Sequence, residues 1–249
     1  MKARGLASMA IVAGMVAVLQ IACQAGLVKH TVIIAPTEMA SSLWEILRSG
    51  EFTHAIALTL VNVALSAAIS IGAGFAIGVA IHSIPFLRRG IEPYLASYYA
   101  VPTFIFYPVF IILLGVGSAP IIAIAVLLAI VTMITATLNG LDRIPEVLNK
   151  TAKILRLSPI KCAFMVQLPA ASPYLFAGAR LSVAYSFIGV IASEFILSGD
   201  GLGYAIAYAY NNFDNRTMYG LMLLIILVVT FVNATLDALD RRLQSRLRR

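Results

Sequence analysis

Residues 121–138 read IIAIAVLLAIVTMITATL, eighteen positions without a charge, and residues 139–172 then read NGLDRIPEVLNKTAKILRLSPIKCAFMVQLPAAS, with five Lys or Arg. An uncharged run of that length suits a helix crossing the hydrocarbon core of a bilayer, which takes about 20 residues. The alternation recurs outward in both directions. Further apolar runs cover about 6–28, 54–82, 94–116, 173–197 and 217–236, separated by polar segments. Of the 249 residues 61% are hydrophobic and 12% charged, with a mean hydropathy of +0.94. Soluble domains are nearer 45–50% apolar and about 25% charged. Soluble enzymes, disulfide-stapled secreted domains and disordered tails are excluded. The expected fold is an all-α integral membrane protein of about six transmembrane helices in one domain, 1–249.

The basic residues orient it. If the six runs alternate, all 18 Lys and Arg except Lys29, Arg48 and Arg216 fall on one side, leaving 15 there. Positive charge stays cytoplasmic. Both termini and the 139–172 segment are therefore expected in the cytoplasm, and the net charge of +7 reads as topology rather than as a nucleic-acid face. The N-terminal run opens on Lys2 and Arg4 as a signal peptide would, but no small-x-small site ends it, and Gln20-Ile21 before Cys23 makes a poor lipid-attachment box. An uncleaved first helix is expected.

Within the spans, Gly74-x-x-x-Gly78 permits close helix packing. Pro102 and Pro108 break the third run and free backbone groups that neighbouring helices or water must satisfy. Glu194 lies inside the fifth run, where a carboxylate near the helix centre costs about 2.5–3.5 kcal/mol on insertion scales. It reads either as a pathway or gate residue or, structurally, as a partner for an Arg or a cap on backbone near Gly199. Asn62, Tyr98, Tyr99, Tyr185 and Ser186 offer hydrogen bonds to a small polar solute, although Tyr also anchors at membrane interfaces. Arg180 reads as a snorkelling or ion-paired residue.

No catalytic or cofactor chemistry is legible. The chain has no G-x-x-x-x-G-K-[ST], H-E-x-x-H or G-x-S-x-G pattern, and Cys23, Cys162, His30, His54 and His82 are not spaced as metal ligands. Uphill transport would draw on an ion gradient or on a separate ATPase. The 139–172 segment bears on that choice. Pro145–Ile154 reads as an amphipathic helix, Leu155–Pro159 as a turn, and Ile160–Leu168 as a second helix stopped by Pro169. Some thirty residues are far more than a connection between spans needs, and they suit a docking surface.

This segment resembles the EAA loop of inner-membrane permease subunits of binding-protein-dependent ABC transporters: E-A-A, three residues, G, nine residues, I, one residue, L-P. Aligned on Leu168-Pro169, Val166 takes the I position, Arg156 the G position, and Lys150-Thr151-Ala152 the E-A-A position. Lys150, Thr151 and Arg156 depart from the pattern. In relatives the glutamate and glycine shape contact with a groove on the ATPase. Lys150 inverts a charge, and Arg156 replaces a residue suited to φ > 0 at about 1 kcal/mol if that geometry is kept. The resemblance extends through Leu168-Pro169-Ala170-Ala171-x-Pro173, Gly178-Ala179-Arg180-Leu181, Ala192-Ser193-Glu194-Phe195 and Gly201-Leu202-Gly203-Tyr204, and is nearest the nitrate/sulfonate/taurine branch, which includes pyrimidine-precursor importers. Pro102 stands where that branch usually has Pro-x-Pro.

The resemblance implies a type I importer permease of the bacterial inner membrane, itself no enzyme and without a cofactor of its own. A second permease copy would complete the pathway in the lipid bilayer. Two cytoplasmic ATPases would bind ATP and Mg, and an external solute-binding protein would deliver the solute. The coupling contact would fall on the 150–169 motif, with Leu155, Leu157 and Ile160 as its apolar ridge. The alternative is an ion-coupled secondary transporter, which calls for intramembrane ionisable groups and repeated halves; only Glu194 is plainly inside a span, and no inverted repeat is evident.

Overall fold

The computed structural model describes the backbone of residues 2–30 and 32–247 and the side chains of 10–30 and 32–242. The side chains of Lys2, Arg4, Arg246, Arg248 and Arg249, which contribute to the expected charge bias, lie outside the described residues. All regular structure among the described residues is helical. The order is α1 (Lys2–Gln24), α2 (Pro36–Ser49), α3 (Thr53–Ser83), α4 (Pro85–Tyr98), a 3₁₀ turn (Thr103–Phe106), α5 (Tyr107–Leu114) and α6 (Ser118–Asp142). Then follow α7 (Glu146–Ile154), α8 (Pro159–Cys162), a π turn (Ala163–Gln167), α9 (Leu168–Leu197), α10 (Leu202–Asn211) and α11 (Asn215–Leu247).

Among the described residues, four helical stretches are long and apolar enough to cross a membrane: Thr53–Ser83, Ser118–Asp142, Pro159–Leu197 and Asn215–Arg242. The expected span at 6–28 corresponds to α1, whose described apolar part, Ala10–Gln24, is shorter than a full crossing. The expected third span is corrected. It is two helical pieces, Pro85–Tyr98 and Thr103–Leu114, bent by 101°, and they make a fifth crossing if taken as one span. Pro102 is the reason: with no N–H it cannot continue α4, and it sits extended at φ −72°, ψ 96°. Pro108, in the first turn of α5, is harmless because no intrahelical donor is needed there.

Around this bend α3, α6 and α9 form the packed centre. Val63, Ile121, Ala125, Phe187 and Val190 are its buried apolar core. Close approach is possible because small residues face α6. A Cβ on Gly74 would lie 2.8 Å from the Cβ of Met133, and one on Gly78 2.7 Å from the Cβ of Thr137. The Gly74-x-x-x-Gly78 pair therefore serves packing within the chain. A second cluster at one end joins α2, α10 and α11 through Leu43, Ile46, Leu202, Ile206, Met218 and Leu221. Two of these helices, α2 and α10, lie in stretches whose polar and Gly residues read as connections.

At the opposite end Asp142 bonds to Arg88 and lies 3.2 Å from His82 Nε2, so it ties the ends of α3, α4 and α6 just before the 143–167 insertion. Arg180 of α9 is ion-paired with Asp237 of α11. Pro169 does not stop a loop helix, as the sequence suggested. It falls in the first turn of α9, and the π turn immediately before it takes up the register change that the missing N–H would otherwise impose. The loop thus runs into the span as one helical piece, 159–197.

Candidate functional site

The loop is built on two short helices and one strained residue. α7 ends at Ile154, and Arg156 then takes φ 52°. The Arg156 N–H donates to the Lys153 carbonyl at 3.0 Å and the Leu157 N–H to the Ala152 carbonyl at 3.1 Å. This is a Schellman closure with an arginine where glycine is usual. Ala152 is buried beneath it, while Lys150 and Thr151 face outward. Lys150 Nζ pairs with Glu146 one turn earlier at 3.1 Å.

The apolar ridge differs from the expected one in one member. Leu155 is 65% and Ile160 73% exposed, joined by Ile154, Phe164 and Met165. Leu157 is half-buried, and it lines a small hollow of the hairpin with Ala152, Cys162 and Gln167. Val166 and Leu168 are half-buried in the π turn and at the start of α9, and Pro169 is exposed.

A second group gathers at the bend. The Tyr98 hydroxyl donates to the Leu127 carbonyl at 3.1 Å, and the Tyr99 hydroxyl lies 3.3 Å from Thr132 Oγ1. Leu127 and Thr132 are halfway along α6, so the helix breaks near mid-depth. Tyr185, halfway along α9, stacks obliquely on Tyr99 with ring centroids 6.1 Å apart. Tyr98, Tyr99, Pro102 and Tyr185 are therefore brought together. Just beyond the bend Tyr107 reaches over to bond the Leu197 carbonyl at the end of α9.

Asn62, Glu194 and Ser186 are not part of that group. Glu194 is fully buried. Its Oε2 accepts from Thr59 Oγ1 at 2.7 Å and from the Gly203 N–H at 3.1 Å, and its Oε1 from Asn62 Nδ2 at 3.3 Å. Thr59 Oγ1 in turn accepts from the Leu202 N–H at 2.8 Å. The carboxylate thus caps the first turn of α10, where free N–H groups and the helix dipole favour an anion. A Cβ on Gly201, at φ 99°, would sit 2.4 Å from Glu194 Cδ, and one on Gly203 would sit 2.4 Å from the Ile191 carbonyl oxygen. The Gly-Leu-Gly sequence is what lets α10 close onto α9. Ser186 is fully buried on the α9 face that carries Ser182 and Gly189; Ser182 bonds the Ala129 carbonyl and Gly189 packs on Ala125, both of α6.

Sequence reasoning overlooked Thr59, which looked like one more hydroxyl in a span. It also overlooked the Arg88–Asp142–His82 contact, whose members are far apart in the chain. No group of His, Cys, Asp or Glu among the described residues is arranged to hold a metal.

Residues 70–249 match the family described as binding-protein-dependent transport system inner membrane component. A nitrate import permease, NrtB, of Synechococcus elongatus is 27% identical over 184 residues, covering 74% of this chain and 66% of that protein. The chain thus matches about two thirds of that relative's length. A probable ABC transporter permease of Haemophilus influenzae is 27% identical over 252 residues, covering 97% of this chain and 98% of that protein. Among solved structures, an inward-facing form of the MetNI methionine ABC transporter superposes with a TM-score of 0.69 at 18% identity, over 77% of this chain and 95% of that one. That likeness supports the type I importer permease fold. With a helical core bent at Pro102 and a loop continuous with α9, this chain belongs to the family of binding-protein-dependent transport system inner membrane components.

Proposed function

We propose that this chain is the pathway-forming permease subunit of an ATP-driven importer, that two copies line the pathway within the lipid bilayer, and that its cargo is a small anion of the nitrate kind. The observation that carries the reading is the loop of 143–167: an exposed apolar ridge of Ile154, Leu155, Ile160, Phe164 and Met165, fused through the π turn to a membrane-spanning helix. An exposed apolar ridge on a positively charged loop marks a surface for a protein partner or a membrane, and a cytoplasmic ATPase is the partner this reading assigns to it. ATP and Mg would reside on that partner. The loop end of the bundle and both termini are cytoplasmic in this reading; the α2–α10 end faces outward, toward a solute-binding protein.

The pathway in this reading passes the bend, where Tyr98, Tyr99 and Tyr185 present hydroxyls near mid-depth. Interrupted helices at the midplane are where membrane transporters expose backbone to solute. Glu194 and Asn62 act in the wall, as a cap. The cargo assignment leans on the nitrate permease relative; organic sulfonates and pyrimidine precursors are its competitors.

The test is uptake into proteoliposomes holding this chain, its cognate ATPase and ATP inside, with the cognate binding protein outside. Nitrate uptake that needs ATP and binding protein is expected. Uptake driven by an ion gradient without ATP would make the chain a secondary carrier, and uptake of a sulfonate or pyrimidine precursor in place of nitrate would correct the cargo.

A further inference from the structure

At the end of the bundle away from the loop, segments distant in the chain enclose a groove of about 430 Å³ between Glu51 and Phe52 on one side and Tyr204, Tyr208 and Asp214 on the other. Its charge is not neutralised. Other acidic residues at this end have partners: Glu38 meets His30 at 2.7 Å, Glu45 meets Arg216 at 3.4 Å, and Asp200, itself in the groove's lining, meets His54 at 3.3 Å. Glu51 and Asp214 are exposed and in no ion pair among the described residues.

Beside the groove stands Phe213, 91% exposed. Its backbone is left-handed, φ 58°. It closes α10 as Arg156 closes α7: the Phe213 N–H donates to the Tyr210 carbonyl at 3.1 Å and the Asp214 N–H to the Ala209 carbonyl at 2.9 Å. Left-handed backbone costs an L-residue roughly 1–2 kcal/mol, and glycine would avoid that cost here. A phenyl ring 91% exposed on left-handed backbone gains almost no packing within the chain. Strain retained at an exposed position points to function.

We infer that this groove and Phe213 form the surface on which the solute-binding protein docks, with a Lys or Arg of that protein entering between Glu51 and Asp214, its alkyl stem on the Tyr204 and Tyr208 rings, and Phe213 inserting into an apolar hollow of the same partner. This rests on the importer reading, which supplies the binding protein and places this end outside. The remaining features suit such a contact. An aromatic anchor ringed by charge is the usual make-up of an interface centre and rim. The groove's floor is α10, which Glu194 fixes to α9, and α9 continues into the loop. A body docked here rests on the same rigid piece that carries the ATPase contact.

The test uses the complete transporter in lipid nanodiscs, with ATPase activity recorded against binding-protein concentration. Glu51→Lys is expected to raise the half-saturating concentration about tenfold or more, with the deficit shrinking at high salt, because rim charges act mainly through screened attraction. Asp214→Asn keeps the oxygen that caps the Thr217 N–H at 3.1 Å and is expected to give a smaller rise in the same direction. Phe213→Gly separates docking from folding: thermal stability is expected to hold or improve while the half-saturating concentration rises several-fold. Charge reversal of the facing Lys or Arg on the binding protein is expected to rescue Glu51→Lys. A wild-type response that Glu51→Lys and Phe213→Gly leave untouched would overturn the groove alone, as would a change in permease oligomeric state, which would assign the face to a second copy. A wild-type complex with no response to any binding protein would overturn the importer reading, and the groove with it.

Discussion

The Glu194 carboxylate and the Gly203 N–H meet at 3.1 Å inside the wall of the bundle, so the acidic side chain within the fifth apolar run holds the first turn of α10 against α9 and, through Thr59 and Asn62, against α3. Removing it by Glu194→Ala takes the acceptor from the Thr59 O–H, the Asn62 amide and the Gly203 N–H in a buried place, at about 1–3 kcal/mol for each group left unsatisfied. The purified permease is expected to lose several degrees of thermal stability, and Gly203→Ala, whose Cβ would meet the Ile191 carbonyl, to lose a similar amount. If Glu194→Ala abolished transport with thermal stability intact, the residue would belong to the pathway instead.

The ridge prediction concerns which apolar residue meets the ATPase. Ile160→Asp places a charge on a side chain that is 73% exposed in the free chain, so the permease itself is expected to fold and insert normally while co-purification with the ATPase fails. An uncompensated charge in a buried interface costs several kcal/mol. Leu157→Asp is expected to act differently: Leu157 is half-buried and faces a hollow of the hairpin itself, and a charge there is expected to expose the loop to protease even without the ATPase. Normal co-purification of Ile160→Asp would remove this ridge from the contact.

Much of this was legible in the chain because hydropathy and backbone geometry leave strong local marks. The spans 54–82, 121–138 and 217–236 agree with α3, α6 and the apolar body of α11 to within a few residues, except that α11 runs on into the charged tail. The glycine position held by Arg156 was legible only through the resemblance to the EAA motif aligned on Leu168-Pro169; the left-handed backbone found there is of the kind that suits glycine. What failed was non-local. α2 and α10 are short and half-polar, and become buried only by packing on α11, so no window of sequence marks them as core. Pro169 misled because a proline ends a helix only if the backbone cannot rearrange, and the π turn does so. Glu194 stayed ambiguous because its cap, Gly203, is nine residues on and its other partners more than a hundred away.

The strain at Arg156 has a direct readout. Arg156→Gly relieves about 1 kcal/mol at φ 52° without touching the two backbone bonds that close α7. The Leu157 amide, bonded to Ala152, is expected to exchange with solvent several-fold more slowly in the variant. Unchanged or faster exchange would mean that the arginine side chain contributes to the turn more than its backbone costs.

The last prediction concerns Lys150, which takes the first position of the stretch that resembles the E-A-A motif. In the free chain it has a partner already: Glu146, four residues earlier on α7, at 3.1 Å, with the two side chains 65% and 80% exposed. Exposed pairs at this spacing contribute about 0.3–0.5 kcal/mol and are screened by salt, and Lys150→Glu would replace that attraction by a repulsion of similar size. On the permease alone the change is therefore expected to be nearly silent in thermal stability. The docked state is different, because the exposed ridge of Leu155 and Ile160 lies on the same hairpin, and a partner that covers it would draw water away from Lys150 as well. If the ATPase presents an acidic residue there, the reversed charge faces both that residue and Glu146, and coupled ATPase activity is expected to fall about tenfold or more at low salt, with partial recovery at high salt. Glu146→Lys combined with Lys150→Glu restores the pair within α7 but leaves the interface charge reversed at position 150. Recovery of coupling in that double variant would confine the role of Lys150 to α7, whereas persistence of the defect, relieved only when the acidic residue of the ATPase is changed to Arg, would assign Lys150 to the interface.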